Sequence, residues 1–263
     1  MNVKWRRVTK QCKCQICQKD GWCTVSEMGH CCMRISSDRP MRNGGWLHPL
    51  NGKRVELPPP EPEKPSINCT AIMRDLWRKT TDTQRSELAE RLGVSLFAIR
   101  CVGACWHPAF NAWAFPMADA FGCIVGIRLR NDSGRKWAVC GSRQGIFIPV
   151  HCPPQPLVFV CEGPTDTAAA LTIGLFAIGR PSCSGAVEQT AQAISRFRCQ
   201  RAVLISDNDN AGSVGARTLA ERLPIPSCIT VLPAKDMREF VRMGGTSELL
   251  ESLTNSLVWN QPH

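Results

Sequence analysis

The chain has no tyrosine among its 263 residues. A covalent phosphotyrosine intermediate, the usual chemistry of a topoisomerase, is therefore excluded. No apolar run approaches the roughly 20 residues that a membrane-spanning helix needs. The first ten residues, M-N-V-K-W-R-R-V-T-K, carry charge with no apolar core behind it, so they do not read as a secretory signal. A cytoplasmic protein without membrane contact is expected. No G-x-x-x-x-G-K-[ST] phosphate loop occurs, so the sequence shows no P-loop motor. Acidic residues are scarce, 22 against 32 Lys and Arg, for a net charge of +10. Such a balance calls for an acidic partner, nucleic acid first.

Cysteine, by contrast, is plentiful, at 16 residues. A cytoplasmic chain does not keep a disulfide framework, so clustered cysteines suggest metal. Scattered ones suggest small buried hydrophobes. Six of them fall in C-K-C-Q-I-C-Q-K-D-G-W-C-T-V-S-E-M-G-H-C-C. Cys14 and Cys17 form a C-x-x-C knuckle, and Cys23 with Cys31 or Cys32 can complete a tetrahedral zinc site. Cys12 and His30 compete for a place. The segment is too short to bury a useful core, so structural Zn²⁺ would supply its folding energy.

The charge is uneven. Residues 1–56 hold 11 Lys/Arg and 4 Asp/Glu, a net +7 in about a fifth of the chain. Trp5, Trp22 and Trp46 in this segment could stack on unpaired bases. For Trp22, packing inside the small fold is the favoured reading. Residues 57–65, L-P-P-P-E-P-E-K-P, behave as an extended spacer and mark a domain boundary. From 66 to 105, Leu88, Leu92, Leu96 and Ile99 recur at helical spacing, with Gly93 breaking the run. Two packing helices explain this better than a DNA-reading helix-turn-helix.

Four strands are expected next: A-W-A-F-P-M, G-C-I-V-G-I-R-L-R, K-W-A-V-C and G-I-F-I-P. The turn N-D-S-G separates two of them. Arg128 and Arg130 share one strand face, with Lys136 and Arg143 on the strands that follow. This basic stripe suits a nucleic-acid strand or a triphosphate. From 157 onward, continuous apolar strands alternate with helices, which predicts an α/β region: a parallel sheet covered on both faces.

In such sheets, ligands bind beyond the carboxyl ends of the strands. The strand A-V-L-I-S ends there in D-N-D-N-A-G. Asp207 and Asp209, one residue apart, point the same way and repel each other unless a cation lies between them. Hard oxygen ligands suit Mg²⁺ or Mn²⁺. Glu162 follows the strand L-V-F-V-C, Asp166 opens the next helix, and Asp236 follows C-I-T-V-L. The alternative for these residues is local: Asp166 as an N-cap, Asp207 and Asp209 as turn residues.

E-G-P-T-D and D-N-D-N-A-G resemble the two motifs of the TOPRIM domain, and K-D-M-R-E-F resembles a later acidic motif of its primase branch. The order of zinc ribbon, basic strands and TOPRIM is similar to that of DnaG-type primases of phages and plasmids. The resemblance implies a Rossmann-like TOPRIM domain over 156–255, a basic polymerase subdomain over 66–155, a zinc ribbon over 1–56 and a tail over 256–263. It implies Glu162 as acid/base or metal-proximal carboxylate, Asp207 and Asp209 as Mg²⁺ ligands and Asp236 as a further contributor. It favours Cys32 over Cys31, because Met-Arg follows the last ligand in related sequences. The implied activity is synthesis of short RNA primers from ribonucleoside triphosphates on single-stranded DNA. A replicative helicase would act in trans, in a bacterial cytoplasm and from a mobile element. The alternatives are a TOPRIM nuclease and a non-catalytic zinc-ribbon DNA-binding protein.

Overall fold

The computed structural model describes residues 5–41, 43–50, 67–206, 210–255 and 257–262, without the side chains of 210 and 211. The chain divides into two compact units, Met1–Lys64 and Pro65–His263. The spacer 57–65 lies outside the described residues.

The first unit is an antiparallel sheet of four short strands: β1 (Arg6–Arg7), β2 (Thr24–Ser26), β3 (Gly29–Cys32) and β4 (Trp46–Pro49), paired in that order. Its buried apolar cluster is Val8, Cys14, Cys23, Val25 and Cys32. Three of these five are cysteines, so the segment has almost no hydrocarbon core of its own. Trp22 is 72% exposed, which overturns its expected packing role.

The second unit is α/β. It opens with α1 (Cys69–Lys79), α2 (Asp82–Leu92) and α3 (Leu96–Cys101). Each start is fixed locally: Asn68 caps α1, Thr81 and Gln84 form a capping box on α2, and Ser95 caps α3. Gly93, in the left-handed conformation at φ 70, ends α2.

An antiparallel sheet follows, from β5 (Cys105–His107), β6 (Ala112–Ala118), β7 (Ile124–Arg130) and β8 (Lys136–Ala138). Strand alternation gives it two different faces. Ala112, Ala114, Ile127 and Leu129 pack with Cys69, Met73 and Leu76 of α1. Trp113, Phe115 and Met117 point the other way, into the larger core shared with the last part of the chain.

That last part runs β9 (Leu157–Glu162), α4 (Pro164–Thr172), β10 (Ala177–Arg180), α5 (Val187–Arg196), β11 (Arg201–Ser206), α6 (Asn210–Ala220), β12 (Ser227–Val231), α7 (Met237–Arg242) and α8 (Ser247–Asn255). The strands form a parallel sheet in the order β10-β9-β11-β12. Phe159 and Cys161 of β9 face one core, with Ala168 and Leu171 of α4. Val158 and Val160 face the other, with Ile194 of α5 and Leu219 of α6. Both faces are covered, which is why the strands read as unbroken apolar runs.

G-I-F-I-P does not form the fourth strand of the basic sheet. Ile146 bridges to Ala118 at the end of β6, and Phe147 bridges to Gly179 in β10. The segment therefore stitches the antiparallel sheet to the edge of the parallel one. Each bridge is a reciprocal pair of backbone hydrogen bonds of 2.8–2.9 Å. This suture turns the face carrying Arg128 and Arg130 toward the carboxyl edge of the parallel strands.

Candidate functional site

In the first unit, the sulfur atoms of Cys14, Cys17, Cys23 and Cys32 lie within 4.8 Å of one another. The chemistry of this donor set fits zinc. Backbone N–H groups are aimed at the sulfurs, Met33 at Cys23 (3.4 Å) and Ile35 at Cys32 (3.3 Å), as thiolate acceptors require. The competing residues stand apart. Adjacent residues on a strand point to opposite sides, and the Cys31 sulfur meets the Asn43 side chain instead, 3.4 Å from its Nδ2. His30 is buried with neither ring nitrogen hydrogen-bonded, and Cys12 lies outside the group of four.

In the second unit, β9 and β10 are in register at Glu162 and Arg180, the last residue of each. Glu162 is half-buried, and Arg180 is only 5% exposed. The Arg180 guanidinium donates from Nε to the Gly185 carbonyl (3.1 Å) and from Nη1 to the Gly215 carbonyl (3.3 Å). Its Nη2 is buried without a partner. Burial pushes its pKa down, and Cys183 and Glu162 act against that. Glu162, Arg180, Ser182 and Ser206 line one small cavity with room for a single water. The chain enters Asp207 directly from Ser206 and reaches α6 at Asn210. Asp207 and Asp209 themselves lie outside the described residues.

Asp166 and Asp236 are brought together by Arg238. Asp166 lies in the first turn of α4, where the N-cap is Gly163 rather than Asp166. Its Oδ1 accepts from the backbone N–H of Arg238 (3.2 Å). Asp236 caps α7 by accepting from Glu239 N–H (2.8 Å), and its Oδ2 accepts from the Arg238 guanidinium (3.3 Å). Both carboxylates thus serve the start of α7, which sets them apart from Glu162.

The basic residues divide. Arg128 donates to the Pro181 carbonyl (3.3 Å) and Arg130 to Thr165 Oγ1 (2.9 Å). Both side chains therefore reach across to the loops at the carboxyl edge. Lys136 is exposed and pairs with Arg130 in the β7–β8 register. Arg143 is not part of this group; it lies within electrostatic reach of Cys69 at the start of α1.

Around Arg130 the structure adds two arginines that the strand pattern alone does not single out. Arg91 of α2 and Arg238 of α7 line the same pocket of about 170 Å³, with Thr165 and the aromatic pair Trp113 and Phe115. Burial pushes the Arg130 pKa down, and the positive charges of Arg238 and Arg91 push the same way, against Asp166 and Asp236. Arg91 is partly answered by Asp132 (2.7 Å), and Arg238 by Asp236. A polyanion entering here would gain several charge-assisted hydrogen bonds beside an apolar wall. Arg91 sits in the helical stretch R-S-E-L-A-E-R-L-G, and Arg238 in K-D-M-R-E-F. Arg180 could have been found by the rule that located Glu162, being a charged residue closing an apolar strand.

No family model matches the chain, and no curated protein matches it in sequence. Solved structures do match in fold. The zinc-binding and RNA polymerase domains of the Aquifex aeolicus primase align with a TM-score of 0.57 at 16% identity, covering 73% of this chain and 60% of that one. The E. coli primase catalytic core gives 0.54 at 16% identity, covering 73% and 79%. A DnaG primase catalytic domain solved bound to single-stranded DNA gives 0.51 at 14% identity, covering 72% and 81%. The chain has the fold of DnaG-type primases, with an N-terminal cysteine cluster able to bind zinc. Among the described residues, no helix is long and apolar enough to cross a membrane.

Proposed function

We propose that this protein is a DNA primase, joining ribonucleoside triphosphates into short RNA primers on a single-stranded DNA template. The observation that carries the reading is the pocket where Arg91, Arg130 and Arg238 meet over Trp113 and Phe115. Guanidinium forks match phosphate oxygens, and the buried Trp113 and Phe115 give them an apolar floor. The pocket lies at the carboxyl edge, where α/β sheets bind ligands. The fold likeness to primase cores, one of them solved with single-stranded DNA, supports the same reading.

In this reading Arg130 and Arg238, with Arg91, hold the triphosphate, and Arg128 with Lys136 guides the nucleic-acid strand. Glu162, Asp207 and Asp209 hold Mg²⁺ or Mn²⁺, and Asp166 and Asp236 fix the start of α7, which presents Arg238. Bound divalent metal supplies Lewis-acid activation of the attacking 3′-hydroxyl and charge neutralisation at the leaving pyrophosphate. The chain's own residues orient the phosphates and offset their charge, so no nucleophilic side chain is required. The zinc ribbon reads the template, with exposed Trp22 as a base-stacking surface.

The test is primer synthesis from labelled ribonucleotides on single-stranded DNA of varied sequence, with Mg²⁺, beside an Asp207→Asn, Asp209→Asn double variant. Short RNA from the wild type alone is expected. Metal-dependent shortening of the template, with no RNA made, would favour the nuclease. Tight DNA binding with neither activity would favour a non-catalytic binder.

A further inference from the structure

The side chain of Arg34 leaves the strand region just after Cys32 and folds back over the sulfur cluster. Its Nη1 lies 3.5 Å from the Cys23 sulfur and 3.6 Å from the Cys17 sulfur. Its Nη2 reaches the Asp20 carbonyl at 3.4 Å, which fixes the plane of the fork. Of the four sulfur-bearing residues, Cys17 is the one that is not buried. Arg34 thus covers the solvent-facing edge of the cluster. Four thiolates on one Zn²⁺ leave a dianion, which is nucleophilic and draws protons. A guanidinium donating to two of the thiolates lowers that charge by one and occupies sulfur lone pairs.

We infer that Arg34 guards the zinc centre: by covering Cys17 and Cys23 it sets how tightly the metal is retained and how slowly electrophiles reach the thiolates. Arg34 is a positioning residue here, acting through the ligands. The inference rests on the reading of Cys14, Cys17, Cys23 and Cys32 as a zinc site.

The experiment uses the full chain as wild type, Arg34→Gln and Arg34→Lys, each loaded with one equivalent of zinc. Zinc affinity is read by competition with a chromophoric chelator. Accessibility is read from the rate at which iodoacetamide alkylates Cys17, followed by mass spectrometry of its peptide. Alkylation forms a sulfur–carbon bond, expels iodide and removes one ligand. The expected result is roughly 10–100-fold weaker zinc binding in Arg34→Gln, with faster labelling of Cys17. Arg34→Lys, which keeps the charge and loses the fork, should fall between. Arg34→Gln within twofold of wild type in both readouts would overturn the inference. Visible bands of the Co²⁺-substituted proteins show first that each variant forms a tetrahedral thiolate site. If Arg34→Gln forms none, the comparison rests on Arg34→Lys, and equality with wild type overturns the inference. A wild type that binds no stoichiometric zinc would instead sink the zinc-site reading itself.

Discussion

Arg130 donates from Nη1 to Thr165 Oγ1 at 2.9 Å, tying the last residue of β7 to the first turn of α4. The guanidinium is half-buried and faces Arg91 and Arg238 as well as Asp166 and Asp236. Three guanidinium groups around one pocket give an entering anion several charge-assisted partners. Replacing Arg130 by Met removes the strained charge and keeps most of the volume, so the melting temperature should stay level or rise. Nucleotide binding should lose about 1.5–3 kcal/mol, tenfold or more in KM, since hydrogen bonds to charged groups are of that size. Thermal melts beside primer-synthesis kinetics check both halves. A fall in stability with unchanged KM would make Arg130 a structural residue only.

Arg85 shows the opposite design. It is 4% exposed and donates to three backbone carbonyls: Ala104 (3.2 Å), Thr80 (2.9 Å) and Trp77 (3.1 Å). Its guanidinium also lies 4.0 Å from the Trp77 ring centroid. Trp77 belongs to the last turn of α1, whose carbonyls have no partner within the helix. Arg85→Met should therefore cost about 3–5 kcal/mol, through buried acceptors left unpaired. Urea unfolding of the full chain measures this. Arg85→Lys should rescue little, because one ammonium cannot span carbonyls from three directions.

Removal of zinc should act on one unit alone. Cysteines fill three of the five places in the buried cluster of the first unit, so chelation takes away its organising centre. The second unit has its own cores under both faces of the parallel sheet. Adding a strong chelator should abolish amide protection in β2 and β3 and leave that of β9 and β11 unchanged. Hydrogen exchange read by mass spectrometry tests this, and loss of protection in both units would contradict it.

His107 gives the second unit an acid limit. Burial holds its pKa below the usual histidine value of about 6.5, outweighing a backbone hydrogen bond that acts the other way. Its ring lies 4.6 Å from that of Phe110, and its Nδ1 is buried without a partner. A depressed folded pKa means that the unfolded chain binds the proton first. The contribution is fully present above about pH 6.5 and is lost as pH falls through the lower folded value. His107→Phe should flatten that part of the stability curve between pH 7 and 5. An unchanged slope would remove His107 as its source.

Much of this arrangement could be read from the residues. The continuous apolar strands announced a sheet covered on both sides, and Gly93 marked a helix end. The C-x-x-C knuckle pointed to the four-cysteine group. What escaped was tertiary. G-I-F-I-P has strand composition, yet its pairing is split between two sheets, which no local pattern encodes. Arg91 and Arg238 join Arg130 from helices nearly 40 residues before it and over 100 after it, so spacing could not associate them. Trp22 is expected to pack inside the small fold, but Cys14, Cys23 and Cys32 fill that interior and leave the ring outside.

Gly215 offers a last test, on the helix that follows Asp207 and Asp209. A Cβ built there would run into the Cys183 carbonyl oxygen, so α6 packs directly on the loop after β10. The Gly215 carbonyl accepts from Arg180, which fastens the same contact from the other side. Gly215→Ala must push helix and loop apart, although alanine is intrinsically the better helix former by about 1 kcal/mol. Overpacking of this kind costs about 1–3 kcal/mol, so net destabilisation is expected. The displaced helix begins at Asn210, directly after the carboxylates proposed to hold the catalytic metal, so the Mg²⁺ concentration needed for half-maximal primer synthesis should rise. Val214, its exposed neighbour on α6, supplies the control: Val214→Ala should leave that requirement unchanged. A Gly215→Ala protein as stable and as active as wild type at low Mg²⁺ would show that α6 does not set the acidic site.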